Sequence, residues 1–357
     1  MTGSEWFSSA PGGLNRYFTE LYSALARRPD VGVAAAAFGE PPIGARTWGP
    51  TGGSTLRRAR VAFLDRADLA RDAVLDRHFG LYGPSAFGRS GHSPLVVHFH
   101  GPWSAESRAA GENKITVYTK YLVERIRYAG ADTLVVLSKQ FRDILIADYH
   151  ISENRIQVIP PGVDTSRFSL VDSGAKTDHK SAETRIVLCV RRLERRMGID
   201  VLLRAWPTVV AVHPNARLAI VGTGAAEREL RELAGGSNSI SFLGPVGEAR
   251  LTRLHCVAEL SVVPSRTLEG FGLAALESLA AGRPPIVTDC GGLPETVRAL
   301  DDTLIVPSGD ADALAARIVA ALDGARPTSR QCRAHAETFA WDTVAQRHLE
   351  LYQALAS

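Results

Sequence analysis

The stretch LSVVPSRTLEGFGLAALESLAAGRPPIVT, residues 260–288, contains one complete strand–loop–helix–strand unit. Its outer runs, LSVVPS (260–265) and PPIVT (284–288), are short and apolar without alternation, the pattern of parallel strands covered on both faces. Between them a glycine-containing loop opens into small apolar residues, Phe271 to Gly282, that read as a buried helix. The same alternation extends outward through IVLCV (186–190), LAIVG (218–222), ISFLG (240–244) and TLIVP (303–307). It recurs less clearly in VGVAAAAF (31–38), PLVVHFH (94–100), TLVVLS (133–138) and IQVIP (156–160). Repeated strand–helix alternation specifies a doubly wound α/β sheet, here twice over.

The 357 residues, at a prior of ~150 per domain, agree with two domains. The polar, aperiodic segment SLVDSGAKTDHKSAET (169–184) reads as the linker. The expected division is therefore 1–168, a linker 169–184, 185–340, and a C-terminal helix within 341–357. One element resists this scheme. The helix LNRYFTELYSAL (14–25) follows a Pro-Gly-Gly turn, but residues 1–10 make a poor strand. The first strand of such a sheet is central, so the reading expects it to be degenerate, formed badly by residues 4–9, or to lie upstream.

Hydrophobic residues are 45% and charged residues 22%, so apolar burial can drive folding without metals or bridges. A net charge of +3 is too small for binding along nucleic-acid phosphates, and no nucleic-acid partner is expected. The four cysteines, Cys189, Cys256, Cys290 and Cys332, lack metal or disulfide spacing and read as reduced core thiols. Neither a signal peptide nor an 18-residue apolar run is present, which places the chain in the cytoplasm. Peripheral contact at the inner membrane face stays open, because TLRRARVAFLDRADLARDAVL (55–75) has the makings of a basic amphipathic helix.

Chemistry concentrates at Glu269-Gly270-Phe271-Gly272-Leu273 and at Glu277, two carboxylates separated by seven residues. The glycines allow close backbone approach, and the free amides of the following helix suit phosphate or sugar oxygens. Glu277 is the ionisable residue of an apolar helix, and a diol would offset its desolvation. The loop RRLERRMG (191–198) carries four arginines. His98 and His100 share one face of a strand, but no third metal ligand is evident, so no metal is assigned. Gly222-Thr223-Gly224 lacks the third glycine of a dinucleotide fingerprint, and Asp310-Ala311-Asp312 reads as a helix cap rather than a metal motif.

With EGFGLAALESLAAGRP, GGLPETV, VLS before a helix, VIPPGVDTSRF (158–168), VGTG, FLGPV and a basic loop after IVLCV, the chain resembles the family 4, or group 1, glycosyltransferases over nearly its whole length. The resemblance implies a GT-B fold, two Rossmann-like domains facing a central cleft, and metal-independent retaining transfer from a nucleotide sugar without a cofactor. It places Glu277 on the donor ribose, Glu269 and His100 near the transferred sugar, and the backbone of Gly270, Phe271, Gly272 and Leu273 along sugar and diphosphate. The same resemblance implies that Val246 meets the nucleobase, that Gly12 and Gly13 form a turn near donor phosphate or acceptor, and that Arg192 grips the diphosphate. The family's usual lysine is Met197 here, with Arg196 as its expected replacement. Uracil is the expected base on family frequency, and the acceptor is a hydroxyl of a glycan, lipid-linked sugar or small metabolite. An epimerase or phosphorylase on the same fold, or a catalytically silent binding subunit, are the alternatives.

Overall fold

A computed structural model describes residues 1–65, 73–84, 87–88, 91–109, 111–168 and 184–356. The chain forms two compact units, Met1–Gly162 with Trp341–Ser357, and Val163–Ala340. The first unit ends ahead of the boundary expected at 168. Val163 donates its amide to Phe339 O (2.9 Å) and bridges to Ala340, while Arg333 holds the Phe168 carbonyl at 2.8 Å, which ties 163–168 into the second unit. Apart from Thr184, the expected linker lies outside the described residues.

In the first unit the strands are β1 (Thr2–Glu5), β2 (Ala36–Phe38), β3 (Arg46–Thr47), β4 (Leu75–Arg77), a small hairpin β5 (Phe87–Gly88) and β6 (Gly91–His92), β7 (Leu95–Phe99), β8 (Thr133–Val136) and β9 (Ile156–Val158). Seven of them form a parallel sheet in the order β3-β2-β1-β4-β7-β8-β9. The first strand is thus present, at residues 2–5 instead of the expected 4–9, and it is short and polar with a register shift against β2 between Thr2 and Glu5. Thr2–Glu5 lies inside the sheet, paired with β2 on one side and the central β4 on the other. Its sequence hides this because its polar side chains are satisfied by partners from distant segments instead of being replaced by apolar ones. Thr2 Oγ1 donates to Tyr82 O at 3.1 Å, and Glu5 pairs with Arg58 at 3.0 Å. Gly3 lies flush on Phe18, whose ring is 2.5 Å from where a Cβ would stand.

Helix Gly13–Ala26 covers this sheet with Tyr17, Leu21, Ala24 and Leu25, and helix Trp341–Ala356 adds Trp341, Val344 and Ala345 to the same cluster. Trp341 Nε1 also donates to Glu20 at 2.6 Å. The helical reading of 55–75 holds over Thr55–Leu64, but residues 66–72 lie outside the described set and Leu75 belongs to β4.

The second unit holds β10 (Arg185–Val190), β11 (Ala216–Val221), β12 (Ile240–Gly244), β13 (Leu260–Val263), β14 (Pro285–Thr288) and β15 (Ile305–Val306), in the parallel order β12-β11-β10-β13-β14-β15. Val187, Leu188 and Cys189 are fully enclosed, and burying each aliphatic side chain contributes about 1.5–3 kcal/mol. All four cysteines are buried free thiols. Asp310 caps helix Ala311–Leu322 by accepting from the Ala313 amide at 2.9 Å.

Chain direction around this sheet reverses between β10 and β13, and ligands of open α/β sheets bind beyond the carboxyl ends of strands at such a reversal. The loops 191–198 and 264–272 leave β10 and β13 there. They approach so closely that a Cβ on Gly198 (φ +68) would stand 1.9 Å from Pro264 O. Gly198→Ala is expected to lower stability by about 3 kcal/mol, from left-handed strain plus a backbone collision. A Cβ on Gly247 (φ −69) meets nothing within 4 Å, so Gly247→Ala should stay within about 0.5 kcal/mol. Urea unfolding midpoints of the two variants measure the difference.

Candidate functional site

Two loops of the second unit are laced together before any ligand is considered. Arg266 N donates to Arg196 O at 2.8 Å, Arg196 Nη1 to Leu268 O at 3.2 Å, and Arg266 Nη2 to Asp200 Oδ2 at 2.5 Å. Leu268 is held at φ +56, a strained conformation for a branched side chain, immediately before Glu269. The Glu269 carbonyl accepts from the Gly292 amide at 2.9 Å, so its backbone is fixed from both sides.

The Glu269 carboxylate is 14% exposed and is bound through Oε2 by Arg191 Nη2 and, at 3.2 Å, by Ser265 Oγ. Arg191 also donates to Ser265 Oγ and lies 2.9 Å from Met197 Sδ. Burial, followed by the nearby Glu269 carboxylate, pushes the Cys290 thiol up to about 11, so it stays protonated at neutral pH.

After Glu269 comes a row of amides. Gly270, Phe271, Gly272 and Leu273 meet no acceptor with their N–H groups among the described residues. Gly272 adopts φ +99 with Leu293 Cδ2 2.5 Å from where a Cβ would sit. Helix Leu273–Ala280 then starts with neither a side-chain cap nor an acidic residue in its first turn, leaving its positive end uncompensated. The Phe271 ring is core, packed 5.5 Å from Phe339, so only its backbone faces the loop chemistry.

Glu277 lies on that helix, 8% exposed, with Oε2 3.5 Å from His255 Nε2. His255 is itself buried on helix Glu248–Val257. Val246 turns its side chain onto the cluster of Leu188, Ala219, Val221 and Ala258, which leaves its backbone as the part able to meet a ligand. Arg192 is exposed, with no acceptor for its guanidinium among the described residues. Sequence reasoning missed Arg191, Ser265 and His255. Only position hinted at them, since Arg191 and Ser265 stand just past β10 and β13.

The remaining sequence candidates belong to the first unit: Gly12 and Gly13 follow β1, which with β4 forms its own reversal point, and His100 follows β7. Gly12 is exposed and extended, and a Cβ there meets nothing within 4 Å, so packing alone does not demand glycine at this position. Gly13 begins helix Gly13–Ala26, whose N-terminus also lacks a cap and an acidic first turn.

His100, at the end of β7, is half-buried and has an unpartnered Nε2. It stacks 5.7 Å from His98 and lies edge-on to Tyr17 at 5.1 Å. Burial, with His98 and His78 nearby, holds its ring well below the usual imidazole range, so it is neutral.

The histidine missing from the sequence reading is His78. Its donor atom and those of His98 and His100 all lie within 4.8 Å of one another. The geometry suits a carboxylate better than an ion. His78 and His98 are stacked at 3.8 Å and 18°, so their in-plane lone pairs run side by side instead of converging. Their Nε2 atoms lie 3.2 and 3.0 Å from the buried Asp76 carboxylate. Tyr352 donates to Asp76 Oδ2 at 2.5 Å, and His348 stacks on His98 at 5.4 Å.

Burial lowers His98 and His348 to about 4 against an ordinary 6.5. Both rings are neutral when folded, whereas the unfolded chain takes up protons below 6.5. Their stabilising contribution is therefore complete above pH 6.5 and is lost as pH falls toward about 4. Urea midpoints measured between these pH values should fall steadily, and His348→Gln should flatten part of that slope. An unchanged slope in the folded variant would contradict the assignment.

Comparison with known proteins follows the same division. Residues 184–324 match the family model described as "Glycosyl transferases group 1", and residues 11–167 match "Glycosyltransferase Family 4". A D-inositol 3-phosphate glycosyltransferase of Corynebacterium jeikeium is 35% identical over 246 residues, 63% of this chain and 58% of that protein. Its counterpart in Acidothermus cellulolyticus is 31% identical over 83% of this chain and 71% of its own length. A GDP-mannose-dependent monoacylated alpha-(1-6)-phosphatidylinositol monomannoside mannosyltransferase of Corynebacterium glutamicum is 29% identical over 80% of this chain and 78% of its own. Among solved structures, sucrose-phosphate synthase from Thermosynechococcus elongatus superposes with a TM-score of 0.77 at 25% identity, covering 99% of this chain and 95% of that one.

Proposed function

The chain belongs to the family 4, group 1 glycosyltransferases, and from that premise we propose that it is a retaining enzyme that moves a sugar from a nucleoside-diphosphate sugar to a polyol hydroxyl. One observation carries the reading. Glu269 and Glu277 flank a row of amides, Gly270 to Leu273, that are unpaired among the described residues, at the carboxyl end of the β10–β13 reversal. Glu277 binds the ribose diol and Glu269 binds hydroxyls of the sugar. The amides and Arg192 receive the charge that grows on the departing diphosphate. Arg196, tied to Leu268 O, shapes this loop, and the Val246 backbone meets the base. The leaving phosphate takes the acceptor proton on the same face, so the protein acts through orientation and fixed charge. In the first unit, His100 with Gly12 and Gly13 serves the acceptor. The neutral His100 ring, with its unpartnered Nε2, suits a hydroxyl.

Two bases compete for the donor: uracil, on family frequency, and guanine, which the named donor of the Corynebacterium glutamicum relative contains. The acceptor is proposed to be of the inositol class, because D-inositol 3-phosphate and phosphatidylinositol monomannoside appear in the relatives' names. Calorimetry with UDP- and GDP-sugars, followed by transfer to inositol phosphates, tests both statements, and binding of neither sugar class opposes the reading. Glu277→Ala should raise donor KM about tenfold or more and lower kcat/KM in proportion, through a lost charge-assisted pair to the ribose. Unaltered kinetics in a folded variant would remove that role.

Among the described residues no helix is long and apolar enough to cross a membrane. Contact from one side is a separate proposal. Helix Thr55–Leu64 exposes Leu56, Phe63 and Leu64 beside Arg57 and Arg60, a pattern suited to anionic lipid. The protein should sediment with phosphatidylglycerol vesicles and not with phosphatidylcholine alone. Phe63→Glu with Leu64→Glu should leave it in the supernatant.

A further inference from the structure

The basic loop contributes four arginines to the second unit, but they are held in four different ways. Arg192 is exposed without a partner among the described residues, and Arg195 is exposed and paired with Glu229 at 3.0 Å. Arg196 is directed at the Leu268 carbonyl. Arg191 alone of the four is enclosed, its side chain 9% exposed, with its guanidinium beside Glu269 where the amide row begins. Its Nη2 is shared among Glu269 Oε2, Ser265 Oγ and Met197 Sδ, whereas its buried Nε has no acceptor among the described residues.

A guanidinium has five N–H donors in a rigid fork, and burying one with a donor unsatisfied is costly. That cost is removed when an acceptor-rich anion arrives. The neighbouring amides and helix end already favour such an anion, and a fixed cation aimed at it needs no reorganisation as charge develops. Met197 offers no charge of its own, and the Arg191 guanidinium rests against its sulfur, so the cation reaches this loop from the end of β10.

We propose that Arg191 is the fixed diphosphate-binding cation of this enzyme, held in place by Glu269 and Ser265 and shared with the β-phosphate of the nucleoside diphosphate when donor or product binds. The assignment rests on the glycosyltransferase reading above. Glu269 keeps the guanidinium oriented while the site is empty, and the phosphate takes the remaining donors of the fork. Arg192, exposed and without an acceptor among the described residues, supplies a second cation from the solvent side.

Isothermal titration of the whole chain with the nucleoside diphosphate and with the matching monophosphate tests the proposal. Arg191→Gln should weaken diphosphate binding by about ten- to a hundred-fold, the range of a charge-assisted pair, and monophosphate binding by less than about threefold. Glu269→Gln should lower turnover and leave diphosphate affinity within about threefold. If Arg191→Gln fails to fold, Arg191→Lys makes the same comparison, with a smaller loss of about three- to tenfold again confined to the diphosphate. Unchanged diphosphate affinity in a folded Arg191 variant, or equal losses for both nucleotides, would overturn the proposal in favour of a residue that only orients Glu269. Wild-type protein that binds no nucleoside diphosphate would instead overturn the glycosyltransferase reading itself.

Discussion

The second unit depends on the contact between two loops at the point where its sheet reverses direction. Gly198 lies against Pro264 O so closely that no side chain fits, and two hydrogen bonds between 196 and 266–268 complete the seam. This seam brings together residues 78 apart in sequence, Arg191 and Glu269, and gives their ion pair a fixed geometry. An ion pair on two mobile loops would gain little, because solvent screening and side-chain entropy offset it. Held by this seam and sheltered from solvent, the same pair keeps one geometry.

The first unit solves a similar problem by different means. Asp76 is a buried anion on a central strand, and it is compensated by hydrogen bonds from the His78 ring and the Tyr352 hydroxyl, with the His98 ring 3.0 Å away. Helix Trp341–Ala356 supplies Tyr352 and His348 to this cluster, so the polar core and the docking of that helix support one another. His100 stands at the rim of the stack, and its neutral state follows from the burial and imidazole neighbours around it.

Much of the architecture was legible before any coordinates. Runs such as IVLCV and LSVVPS are enclosed on both faces, so their composition reports their place directly. The glycine loop and the lone carboxylate of helix Leu273–Ala280 were legible for a related reason: local backbone freedom and a local desolvation cost leave marks in the sequence. β1 and β4 were not legible. Thr2, Glu5, Asp76 and Arg77 are polar residues in central strands whose partners come from distant segments, including Tyr82, Arg58, Tyr352 and Pro84. Which of four consecutive-loop arginines would be enclosed was equally hidden, because it depends on the direction in which β10 delivers each side chain.

From the sequence alone come two parallel α/β units, the glycine loop after β13, and the two carboxylates Glu269 and Glu277. Apolar patterning, glycine placement and helix-end polarity are local properties, and the chain order records them. The tertiary structure alone decided that Arg191 rather than its neighbours meets Glu269, that His255 accompanies Glu277, and that His78 completes the imidazole stack on Asp76. Those pairings arise where strands far apart in sequence become adjacent in a sheet, and strand order is a property of the whole packed unit.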